Sequence, residues 1–173
     1  MRAETFALFF GIAYLSAGLL GLHPAALVPP PADAPPTHFT LLYGYLLGLF
    51  PVNLLHSAVH LAIGAWGILA WRGVVRPRIY APSIAIFFTA LAVMGLVPGL
   101  NTLFGVLPLY GNDVWLHGGT AAVATYLIWH PEYSIEHRTG NASDRRTETL
   151  PVAEDRRHGR PDRRLPSIGE EER

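Results

Sequence analysis

Between its charged residues the chain holds four long neutral runs, Thr5 to Ala32, Ala34 to Trp71, Ile79 to Asn112 and Val114 to Pro131. About 20 apolar residues, at about 1.5 Å of rise each, cross a hydrocarbon core of about 30 Å. Each run therefore has room for one spanning helix. The pattern predicts helices near 5–23, 52–71, 80–98 and 113–130, an all-α membrane fold of four transmembrane helices in a bundle. Residues 1–130 form the transmembrane domain, and 131–173 are predicted to be a disordered charged tail.

The connection after the first helix contains Pro24, Pro29, Pro30, Pro31, Pro35 and Pro36. This density forbids helix and favours an extended, polyproline-like spacer. Thr40 to Phe50 is apolar but too short to span, and it ends at Pro51, so it reads as an interfacial or re-entrant segment. Asn101 to Leu107 is expected to do the same before Pro108.

Charge adds orientation. Up to His130 the basic residues are Arg2, Arg72, Arg76 and Arg78, and the last three lie between the second and third helices. The other two connections, His23 to Phe50 and Gly99 to Asn112, contain no Arg or Lys. Basic loops stay inside, so both termini are expected to be cytoplasmic. A cleaved signal peptide is the competing reading of the first segment. Its apolar run is long for that role, Glu4 sits in front, and no small-x-small pair follows closely, so the helix is expected to be retained. In the tail, Arg145-Arg146, Arg156-Arg157 and Arg163-Arg164 alternate with acids, which suits a solvated chain.

The formal net charge is zero, and nothing points to nucleic acid. With no cysteine there are no disulfides, thiolate metal sites or cysteine nucleophiles. All basic residues are Arg, beside abundant Ala and Pro, as GC-rich bacterial coding favours. The expected location is a bacterial cytoplasmic membrane.

The candidate chemistry lies in a repeated phrase. Gly48-x-x-Pro51 is followed by His60, and Gly105-x-x-Pro108 by His117 at the same spacing. Four residues before each histidine stands another polar group, His56 in one copy and Asp113 in the other. Each pair shares a helix face. The stripes continue as Gly64 and Gly67, and as Ala121 and Ala124, small residues that mark close helix contacts in membranes. Both polar pairs are thus expected to point into the bundle, with His60 near His117 and His56 and Asp113 flanking them. Two helices per copy preserve orientation, which predicts parallel two-helix repeats about an axis along the membrane normal. Between the first and third helices the match is looser, Phe9-Phe10 and Gly18 to Gly21 against Phe87-Phe88 and Gly95 to Gly99.

Asn53, and Asn112 or Asp113, stand where helix caps are expected. Two readings of the polar set stay open. In one, the imidazoles hydrogen-bond to each other, to Asp113, to hydroxyls such as Tyr14 or Tyr110, or to carbonyls beside Pro51 and Pro108, and no cofactor is expected. In the other, His56, His60, Asp113 and His117 bind a metal, or His60 and His117 ligate haem. No phosphate loop, nucleophile elbow or HExxH is present, and an enzyme is not expected. Partners are the lipid bilayer and either a second copy or another membrane protein. A transporter subunit is a third class.

Residues 47 to 64, Leu-Gly-Leu-Phe-Pro-Val-Asn-Leu-Leu-His-Ser-Ala-Val-His-Leu-Ala-Ile-Gly, and 111 to 117, Gly-Asn-Asp-Val-Trp-Leu-His, carry a resemblance. The chain resembles the bacterial four-helix integral membrane proteins catalogued as domain-of-unknown-function family 4383, over about residues 5–130. That resemblance implies a four-helix membrane fold and no assigned activity.

Overall fold

Each apolar run yields one helix in the computed structural model, which describes residues 3–129: α1 (Ala3–Gly21), α2 (Leu54–Trp71), α3 (Pro77–Leu96) and α4 (Asn112–Trp129). The tail expected to be disordered lies outside the described residues. Three helices, α1, α2 and α3, are long and apolar enough to cross a membrane. The 18 residues of α4 are less apolar, because Asp113, His117 and Thr120 lie on its inner face. Large apolar side chains also point outward, among them Phe9, Leu19, Ile86, Leu96 and Trp115. Apolar surface on both faces is what lipid as a solvent allows, and is consistent with a membrane protein.

The connection between α1 and α2 corrects the all-helical expectation. It is not merely a polyproline spacer and an interfacial segment. A three-stranded antiparallel sheet forms there, β1 (Leu27–Val28), β2 (Gly44–Leu46) and β3 (Phe50–Val52), in the order β1-β2-β3. Leu27 pairs with Leu46, and Tyr45 pairs with Pro51. Leu47 and Gly48 both have positive φ, 53° and 73°, the left-handed pair that reverses a tight hairpin. Pro51, which lacks an N–H, is tolerated because β3 is an edge strand. An extended apolar segment must still pair its backbone groups, and a second extended segment supplies the partners.

Helix starts also shift for local reasons. Because Pro51 and Val52 belong to β3, α2 begins only after Asn53. Pro77 occupies the first turn of α3, where its fixed φ suits helix and its missing N–H costs nothing, so α3 starts before residue 80.

Packing is densest within two hairpins, α1 along α2 and α3 along α4. Glycine permits the first contact. A Cβ on Gly11 would lie 2.9 Å from Ile68 N and 3.1 Å from Gly64 O. The core then runs between hairpins through aromatic pairs. Phe6 meets Tyr80 at 5.9 Å between centroids, and Tyr14 stacks on Phe88 at 4.9 Å.

The buried positions of α2 and α4 correspond one by one. His56, Ser57, His60, Ile63, Gly64, Gly67 and Ala70 are buried in α2. Asp113, Val114, His117, Thr120, Ala121, Ala124 and Leu127 are buried in α4. Sequence spacing had placed the polar residues and the small stripe on one face. The inner face also includes Ser57, Ile63 and Ala70, and their counterparts in α4.

Candidate functional site

The site begins with the chain entering α2. Asn53 is fully buried, and its Oδ1 accepts from the His56 N–H at 2.9 Å, closing the first turn. Its Nδ2 donates to the Val106 carbonyl at 2.7 Å and to the Phe39 carbonyl at 3.2 Å. One carboxamide thus ties the start of α2 to both the α1–α2 and the α3–α4 connections. Asn112 is the first residue of α4, and its Nδ2 donates to the Leu49 carbonyl at 3.3 Å.

Within the first two turns of each helix the ionisable side chains converge. His56 Nε2 and His60 Nε2 are 3.2 Å apart. The His117 ring lies 5.9 Å from His56 and 6.3 Å from His60 between centroids. Asp113 Oδ2 lies 3.3 Å from His117 Nδ1 and 3.9 Å from His56 Nε2. All four residues are buried. The structure therefore brings together His56, His60, Asp113 and His117 from two helices, and one nitrogen from each imidazole lies within 4.8 Å of the others.

Aromatic rings wall the cluster. Tyr14 packs edge-on against His60 at 5.1 Å, and Phe88 lies against His117 at 4.9 Å. The hydroxyls offered by the sequence as histidine partners go elsewhere. Tyr14 Oη bonds Thr120 Oγ1 at 2.8 Å, joining α1 to α4, and the Tyr110 hydroxyl bonds that of Tyr43. Burial pushes the Tyr110 hydroxyl above its usual range, reinforced by hydrogen bonds with Tyr43 and Tyr45.

Hydrogen bonding inside the cluster is incomplete. His56 Nδ1, His60 Nδ1, both His117 nitrogens and both Asp113 carboxylate oxygens are buried without an aligned hydrogen-bond partner. Buried polar atoms are ordinarily paired, since desolvation without a partner is costly. Chemically the set is three imidazoles, able to donate lone pairs or share protons, beside one carboxylate.

Phe88, Thr120 and Tyr43 were not anticipated at or around this site. Thr120 falls on the inner stripe of α4, one turn beyond His117, and that spacing alone could have singled it out. Phe88 and Tyr43 reach their positions through helix and loop packing, which leaves no local signal.

No curated protein and no solved structure matches the chain. A family match covers residues 4–130, almost the whole described region and none of the charged tail beyond it. The chain belongs to that family, described as domain of unknown function DUF4383.

Proposed function

We propose that this is a four-span inner-membrane protein of structural or accessory role. Two helical hairpins form parallel repeats, and the His/Asp cluster locks them together near the outer face. The observation that carries this reading is the meeting of His56 and His60 on α2 with Asp113 and His117 on α4.

Duplication is supported by position-specific correspondences. Gly48 and Gly105 both have positive φ, 73° and 84°, and the residues before them, Leu47 and Phe104, have φ of 53° and 57°. Gly21 lies against Val52 and Ser57, whereas Gly95 lies against Leu109 and Val114, the counterparts of those two residues in the second copy. Tyr14 covers His60 as Phe88 covers His117. These contacts favour a register that pairs Phe6 with Tyr80, Tyr14 with Phe88 and Gly21 with Gly95. The register read from Phe9-Phe10 and Phe87-Phe88 is not favoured, since Phe9 points outward. Equivalent residues touching each other across an axis is the signature of an isologous contact, here within one chain.

The 18 residues of α4 are long enough to span, and its polar residues are buried against the other helices. Arg72, Arg76 and Arg78 between α2 and α3 favour a cytoplasmic connection there.

Because the chain lacks cysteine, single-cysteine labelling tests the topology directly. On intact cells, an impermeant thiol reagent should label Asp33→Cys and spare Val74→Cys; labelling of both from one side would sink the four-span arrangement. For the junction, a His60→Ala, His117→Ala double variant should unfold several degrees below wild type in mild detergent with chelator present. An unchanged midpoint would reject a structural role.

A further inference from the structure

We propose that His56, His60 and His117 hold one divalent transition-metal ion of the zinc class, with Asp113 orienting His117. This deepens the junction reading and rests on it. Two imidazole nitrogens bound to one tetrahedral ion at about 2.0–2.1 Å lie about 3.3 Å from each other. His56 Nε2 and His60 Nε2 are 3.2 Å apart. These two residues lie one helical turn apart and offer a two-point ligand from a single helix. The third imidazole comes from α4, with its ligand atom inside the same 4.8 Å set.

A hydrogen-bond network alone does not complete this cluster. The His56–His60 contact and the approach of His56 to the Pro108 backbone still leave His60 Nδ1, both His117 nitrogens and the Asp113 oxygens without aligned partners. An ion takes up one lone pair from each ring. Asp113 Oδ2 lies 3.3 Å from His117 Nδ1 without being aligned to it, and a small rotation of the ring would let the carboxylate accept the Nδ1 proton and leave Nε2 for the ion. Carboxylates commonly orient metal-bound histidines in this way. Three nitrogens and a neighbouring carboxylate suit zinc and its borderline neighbours better than calcium or magnesium, which favour oxygen. The rings touch one another and are walled by Tyr14 and Phe88, a compact nest that fits a bare ion rather than a haem macrocycle.

The test uses the full chain in mild detergent, stripped with chelator and titrated with Zn2+, then separately with Co2+ as a spectroscopic probe. Wild type should take up about one Zn2+ per chain and give the intense visible bands of four-coordinate Co2+. His60→Ala and His117→Ala should each abolish uptake. Asp113→Asn should keep the stoichiometry while weakening affinity about 10–100-fold. If wild type takes up no Zn2+ and gives only the pale spectrum of free Co2+, the ion proposal is overturned, whether or not the variants fold. In that case a lowered midpoint of the chelated double variant would still uphold the junction. Uptake by wild type with an unchanged midpoint in the chelated variant would uphold the ion and reject the structural junction.

Discussion

Asp113 on α4 lies 3.9 Å from His56 on α2, so two residues at corresponding positions of the two helices face each other across the seam between hairpins. The carboxylate meets imidazole rather than a second carboxylate. A like-charged pair at this depth would be repelled with little screening. Having His at one of these positions and Asp at the other avoids that repulsion.

Tyr14 and Thr120 supply a second tie, between α1 and α4, through a 2.8 Å hydroxyl contact. Tyr14→Phe should lower stability in detergent by about 0.6 kcal/mol, and by no more than about 2, as interhelical hydrogen bonds in membranes do. Thr120→Val should cost a similar amount. The double variant should lose little more than either single one, and full additivity of the losses would show that the two hydroxyls act separately.

Asn53 works through both ends of its carboxamide. Asn53→Ala removes a helix cap and leaves the Val106 and Phe39 carbonyls without their donor, for an expected loss of about 1–3 kcal/mol. Asn53→Asp keeps the cap acceptor but not the donors, and should be intermediate or worse. A thermal midpoint for Asn53→Ala equal to that of wild type would show that the connections are held by packing instead.

The Tyr43–Tyr110 hydroxyl pair gives a pH dependence. The Tyr110 hydroxyl is raised by burial above its ordinary value of 10.0, so the unfolded chain loses this proton first as pH rises. Its contribution to stability is complete below pH 10 and declines as pH climbs from there toward the folded-state value. In Tyr110→Phe the fall of the unfolding midpoint between about pH 9 and about pH 11 should be shallower than in wild type. An identical slope would remove Tyr110 from the alkaline transition.

How far the sequence reached depends on the range of the interactions involved. His56, His60, Asp113 and His117 were legible because helix geometry alone puts residues four apart on one face, and the small residues below them marked it as the inner face. The sheet was not legible, since Leu27 pairs with Leu46 across a proline-rich segment and no periodicity in either short strand points to the other. Tyr14 was visible as a hydroxyl in an apolar helix, but its partner depends on how α1 is set against α4. How α1 meets α3 depends on packing in the same way. Matching Phe9-Phe10 to Phe87-Phe88 compares residue types, while the contacts relate Phe6 to Tyr80 and Tyr14 to Phe88.

The most direct measurement of the central claim, that the polar cluster couples the two hairpins, is a double-mutant cycle on His56→Ala and Asp113→Ala. Unfolding free energies would be compared in mild detergent with chelator present. Coupling between the two positions should be about 1 kcal/mol, as expected for residues in one buried network. Losses that add to within about 0.3 kcal/mol would mean that the residues do not act on each other, and would contradict the junction.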